Sequence, residues 1–142
     1  MPNDLTLFKI LLKERGYSVT EPRLLVFEQL QGQEPIDMAE LHQNLTGLVD
    51  RASLYRIIKL FEQLGIAQRL QIGWKYKIEL SDRFSDHHHH LTCTNCKRVI
   101  PINTEALEAF IQQAATQQSF APSSHQVEIQ GLCQICQSNI HI

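Results

Sequence analysis

Asp50-Arg-Ala-Ser-Leu-Tyr-Arg-Ile-Ile-Lys-Leu-Phe-Glu-Gln-Leu-Gly65 runs directly into Ile66-Ala-Gln-Arg-Leu-Gln-Ile-Gly-Trp-Lys-Tyr-Lys-Ile-Glu-Leu80. The first half reads as a helix, with Asp50 as N-cap and Gly65 as terminator. Leu54, Ile57, Ile58, Phe61 and Leu64 recur at helical spacing, while Tyr55, Arg56, Lys59 and Glu62 fall towards the other side. The second half reads as two strands, 66–72 and 74–80, meeting at Gly73. In the latter, Trp74, Tyr76, Ile78 and Leu80 alternate with Lys75, Lys77 and Glu79, the period of a half-buried strand. A helix with an aromatic and cationic outer face, followed by a basic hairpin, is the pattern of a winged helix. Its helix would enter a major groove and its hairpin would lie along the backbone. The same scaffold also serves as a protein-binding module, so this stretch alone leaves both open.

Upstream the chain reads as three more helices. Leu5, Phe8, Leu11 and Leu12 form a stripe that ends near Gly16, and Thr20 caps a second helix with Pro22 in its first turn. Asp37 and Glu40 open a short third helix containing Leu41 and Leu45. The chain's net charge of −2 argues against indiscriminate binding to nucleic acid. The charge is uneven, however. Residues 42–83 hold seven Lys and Arg against four acids, and residues 84–142 hold two against four, so phosphate contacts should come from the former.

Downstream, 81–86 reads as a polar hinge, after which all four cysteines and six of the seven histidines appear. Thr104 caps a fifth helix with Leu107, Phe110, Ile111 and Ala114 on its apolar face, and residues 126–131 alternate as a strand. The expected class is α+β: a winged-helix domain over 1–82, then an α/β domain over 83–142.

Cys93-Thr-Asn-Cys96 and Cys133-Gln-Ile-Cys136 are two C-x-x-C knuckles, each fit to offer two thiolates to one tetrahedral Zn(II). With no export signal or membrane-length apolar run in the sequence, a cytoplasmic setting is expected and disulfides are not. His87-His-His-His90 precedes the first knuckle. In an extended chain His87 and His89 face one way, His88 and His90 the other, offering two imidazole pairs to two metals. Glu108 and His125 are further candidate ligands, and mixed N/O donors suit Zn(II), Fe(II) or Mn(II).

The chain resembles the ferric uptake regulator (Fur) family of bacterial metal-dependent repressors. The matching segments are Gly16-Tyr-Ser-Val-Thr-Glu-Pro-Arg23, Ala52-Ser-Leu-Tyr-Arg56, His87-His-His-His-Leu-Thr-Cys-Thr-Asn-Cys96 and Gly131-Leu-Cys133. The resemblance implies structural zinc on Cys93, Cys96, Cys133 and Cys136, and a dimerisation-domain metal site of His87, His89, Glu108 and His125. It implies a sensing site of Glu79, His88 and His90, and DNA contacts from Tyr55 and Arg56, with Arg23 on phosphate. Arg51, Ser53 and Lys59 of the same helix join the expected DNA-binding set. The family functions as a homodimer, which suits a palindromic operator.

Some positions depart from the family. No histidine occurs in Glu34-Pro35-Ile36, where the family often supplies one to the sensing site, and Pro101 stands where some members carry an acid. His89 replaces an aspartate common in iron sensors, which tilts that site towards zinc. The sensed metal is therefore Zn(II) or Fe(II), with Mn(II) a further candidate. Two alternatives stand beside metal-dependent repression: a metal-independent winged-helix regulator whose zinc is purely structural, and a peroxide sensor of the same family. A zinc hydrolase would need an open coordination position and a general base. No such constellation is present in the sequence, so no enzyme is expected.

Overall fold

The computed structural model describes residues 3–32, 34–72, 74–84, 88–102 and 104–139. Gly73 and His87, both singled out above, lie outside the described residues. The chain divides into two units, Met1–Ser85 and Asp86–Ile142.

The first unit begins with four helices: α1 (Asp4–Glu14), α2 (Glu21–Leu30), α3 (Met38–Asn44) and α4 (Arg51–Gln63). Each start is chemically marked. Asn3, Thr20, Asp37 and Asp50 accept from the backbone N–H three residues on, satisfying donors that have no partner inside the helix. The chain leaves α4 through Gly65 at φ +71°, a left-handed conformation that costs glycine no Cβ clash. The helices meet in an aromatic centre. Phe8 stacks on Phe27 with ring centroids 4.2 Å apart and meets Phe61 edge-on at 5.4 Å.

Phe84 also packs edge-on against Phe27 at 5.2 Å and is buried. The stretch expected to be a polar hinge is therefore anchored at this residue. One aromatic among polar neighbours gives no periodicity, and only the packing reveals it.

Strands β1 (Ala67–Ile72) and β2 (Lys75–Leu80) pair antiparallel, from Ala67 opposite Leu80 to Ile72 opposite Lys75. Each begins one residue later than expected. Trp74 stands beyond the last ladder pair, in the turn, and is fully exposed rather than on the buried side. Alternation does not extend past the ladder that enforces it. Ile36 adds a third, single-residue rung, exchanging both backbone hydrogen bonds with Ile78 at 2.9 and 2.7 Å.

The second unit is built on β3 (His89–Cys93), β4 (Val99–Ile102) and β5 (Glu128–Gly131), in the order β4-β3-β5. β4 is antiparallel to β3 and β5 is parallel to it. A parallel neighbour needs a crossover, which α5 (Glu105–Gln117) supplies. No residue of α5 is fully buried, and Phe110 on its apolar stripe is 68% exposed. A one-turn helix, α6 (Gln134–Ser138), follows Cys133 and carries Cys136 inward. It is too short to show a period in sequence.

Candidate metal centres and nucleic-acid interface

The first knuckle closes the turn from β3 to β4, where Lys97 takes φ +66° and donates its amide to Cys93 O. The second sits at the start of α6. All four thiols are free, and their sulfurs lie within 4.8 Å of one another. Cys96 Sγ and Cys133 Sγ are 3.8 Å apart. A tetrahedron with Zn–S bonds of 2.3 Å has edges of about 3.8 Å, so the group fits zinc in both donor type and spacing.

Two donors aim at the sulfurs. The Cys133 amide donates to Cys93 Sγ at 3.4 Å, and the Asn95 side-chain amide donates to Cys136 Sγ at 3.3 Å. The backbone N–H groups of Cys133 and Cys96 draw the Cys93 thiol down to about 6, against the opposing effect of burial. At Cys136 the Asn95 amide also draws downward. Hydrogen bonding with Cys133, burial and the other two sulfurs outweigh it and push that thiol up to about 11. One sulfur is thus ready to be a thiolate while another resists ionisation beside its neighbours. A divalent cation held by the four would remove that conflict.

His88, His89 and His90 divide by face as successive residues of an extended chain should. On one side His89 and His125 stand with ring centroids 5.1 Å apart. Glu108 bridges them, with Oε1 2.5 Å from His89 Nε2 and Oε2 2.7 Å from His125 Nε2. The Val127 amide donates to His89 Nδ1 at 3.0 Å. Nδ1 is therefore the acceptor, and the ring proton sits on Nε2, facing Glu108. Two imidazoles and a carboxylate within 4.8 Å are a suitable N/O donor set for a divalent metal. The separations are those of hydrogen bonds, shorter than the roughly 3.3 Å between ligands of a tetrahedral zinc. Holding a metal would mean exchanging these two bonds for coordination. Of the four residues expected at this site, three are brought together and His87 is outside the described residues.

On the other side His88 and His90 meet edge-on, with centroids 4.8 Å apart. β-register sets Pro101 opposite His90 on β4 and Glu128 opposite it on β5. Glu128 Oε1 lies 3.6 Å from His90 Nδ1. A carboxylate thus reaches His90 from β5, the strand opposite Pro101. Sequence reasoning missed Glu128, because only the parallel pairing of β3 with β5 makes it a neighbour. Glu79, in the first unit, is buried on β2 and accepts from Gln68 Nε2 at 2.7 Å.

The expected DNA-contacting residues converge on α2 and α4. Leu54, Ile57, Ile58 and Phe61 are buried, whereas Arg51, Tyr55, Arg56 and Lys59 are exposed. Arg56 donates to Ser53 Oγ at 3.1 Å, and Ser53 donates to Asp50 at 2.6 Å. Arg23 is fixed by Ser18 O at 2.7 Å and lies over the Tyr17 ring at 5.5 Å. Arg23, Tyr17, Ser53 and Arg56 line one open groove between the two helices. Tyr17 was not singled out in sequence, since its role is to support Arg23 from outside the helix.

A winged-helix unit joined to a sheet unit with a four-cysteine zinc site defines a class of metal-binding regulators. The Ferric uptake regulator family profile matches residues 14–130, and the chain belongs to that family, as a metal-responsive transcription regulator. It is 34% identical over 128 residues to the ferric uptake regulation protein of Vibrio anguillarum, covering 86% of this chain and 85% of the relative. It is 32% identical over 134 residues to that of Bordetella parapertussis, covering 89% and 94%. Among solved structures, the Vibrio cholerae ferric uptake regulator superposes with TM-score 0.72 at 30% identity, covering 89% of this chain and 99% of that one. The Helicobacter pylori regulator, described as having three functional metal binding sites, gives 0.80 at 20% identity, with 94% and 91% covered. Its likeness concerns the fold. No helix among the described residues is long and apolar enough to cross a membrane.

Proposed function

We propose that this chain is a repressor of metal uptake or homeostasis genes that binds a palindromic operator as a homodimer when a regulatory metal is bound. The observation that carries the reading is α4. One face of it is locked into an aromatic core, and the other offers Tyr55, Arg56 and Lys59 beside an Arg23 groove. That is what a helix docked in a major groove requires, with base contacts from the tyrosine and arginine and phosphate contacts around them.

The metal roles divide by chemistry. Cys93, Cys96, Cys133 and Cys136 hold structural zinc. His89, Glu108 and His125, with His87, form a second N/O site, and Glu79, His88 and His90 form the sensing site. A bound divalent ion supplies charge and a preferred ligand geometry there. To move a two-state equilibrium from almost all open to almost all closed, that preference must reach about 5.5 kcal/mol. Nitrogen-rich donors favour zinc as the sensed metal, with iron the alternative and manganese a further candidate. The exposed Phe110 and Ile129, on α5 and the edge strand β5, support a surface covered by a second copy. In this reading the first domain spans 1–82, the second 83–142, and the protein works in the cytoplasm without catalysing a reaction.

The test is retardation of a duplex selected by this protein from a random pool, with and without added Zn(II), Fe(II) or Mn(II). His88→Ala and His90→Ala should abolish metal-dependent binding while the protein stays dimeric by sedimentation. Metal-dependent binding that survives in both variants sinks the sensing-site assignment. Pro101 beside His90 and the missing histidine near Ile36 favour a second reading, a regulator indifferent to mild chelation whose metals are only structural.

A further inference from the structure

We propose that Trp74 is a DNA contact, its indole packing against the sugar-phosphate wall beside the groove that α4 enters. The inference rests on the DNA-binding reading above and adds a residue that reading does not use. Trp74 stands at the tip of the β1–β2 hairpin, fully exposed, although tryptophan has much apolar surface to bury. It does not stand alone. Trp74, Lys75 and Tyr76 line a groove whose opposite wall includes Tyr55 of α4 and Met38 of α3. The hairpin tip and the outer face of the recognition helix thus form one continuous surface.

The charge on that surface suits a polyanion. Lys75 is exposed beside the indole, and Lys77 follows on the same strand. Arg69 of the hairpin is already paired with Glu62 at 2.8 Å and stacked over Tyr76 at 4.1 Å, so it holds the aromatic wall in place. Asp37 is the acid lining the groove, and its carboxylate accepts from the Glu40 amide at 2.8 Å as the cap of α3. An aromatic plate beside an exposed lysine, next to a helix bearing tyrosine and arginine, fits a duplex whose backbone turns away from the major groove. Contacts of this kind position a protein without reading sequence.

Trp74 is the only tryptophan in the chain, so its fluorescence reports on this site alone. The experiment titrates the zinc-loaded full chain with a duplex recovered from a random pool, reading emission and band retardation together. Emission should shift or quench and saturate with retardation. Trp74→Ala should weaken binding about tenfold for selected and unrelated duplexes alike, the scale of covering about 50 Å² of indole surface at about 25 cal/mol per Å². Trp74→Phe should lose less, and neither should move the thermal midpoint. DNA binding with unmoved emission, or with unchanged affinity of Trp74→Ala, overturns the proposal and leaves the DNA-binding reading intact. Recovery of no duplex by the wild-type chain loaded in turn with Zn(II), Fe(II) and Mn(II) overturns both.

Discussion

Arg56 donates to the Ser53 hydroxyl at 3.1 Å, one turn back along α4, and Ser53 passes the interaction on to Asp50 at 2.6 Å. The guanidinium is thereby ordered before any partner arrives, which reduces what binding must spend in side-chain entropy. Ser53→Ala should weaken duplex binding about fivefold, or ~1 kcal/mol, by freeing Arg56. The Asp50 carboxylate still accepts from the amide of residue 53 at 3.1 Å, so the melting temperature should hold. Unchanged affinity in a retardation titration would show that Arg56 needs no such support.

Asp50 carries a pH prediction. Its carboxyl is held below the usual 3.8 by the Ser53 hydroxyl and amide. A folded-state value lowered in this way gives stability that is fully present above the unfolded value and lost as pH falls through the folded one. The gap in thermal midpoint between wild type and Asp50→Ala should therefore stay constant from about pH 7 to about pH 5 and close only below about pH 4. A gap that narrows already near neutrality would assign the stabilisation to another group.

Phe84→Ala should cost about 3 kcal/mol or more in urea unfolding of the first unit, since it empties an aromatic site packed on Phe27. A solvated hinge residue would instead change stability by no more than about 0.5 kcal/mol.

This residue also marks where sequence stops being informative. Thr20, Asp37, Asp50 and Thr104 were legible as caps because capping is decided within four residues. The cysteine knuckles were legible because zinc imposes their spacing. Phe84, the Ile36 rung on Ile78 and the approach of Glu128 to His90 were not, because each depends on chain segments dozens of residues apart. Trp74 was misplaced for the converse reason: a local alternation was extended past the ladder that gives it meaning.

Zinc removal should act on one unit only. Stripping metal with a strong chelator under reducing conditions, or substituting Cys136→Ser, should melt the β3–β5 sheet while α1–α4 keep their helical signal. Hydrogen exchange read unit by unit is the measurement. Full protection of β3 in the stripped chain would mean that the thiols alone hold the fold.

His89 offers a sharper test of its own site. Its Nδ1 accepts from the Val127 amide, so coordination through Nε2 requires the ring proton to move to Nδ1 and that bond to break, or the proton to leave altogether. In a 15N-labelled chain, occupancy of this site by Zn(II) should shift the Val127 amide in either case, and speed its exchange where the proton moves to Nδ1. If the amide is undisturbed at saturation, His89 orients Glu108 and is not a ligand through Nε2.

The α5 helix buries no residue fully within one chain, and β5, which follows it in the chain, leaves Ile129 49% exposed. A helix of this kind takes little of its stability from burial in its own chain, and in the proposed homodimer metal and a second copy would provide the rest. Stability drawn from association rises and falls with the amount of protein present. The copy number of this regulator would then be an input in its own right: scarce chains would be loosely folded and open to proteolysis, and abundance would reinforce itself.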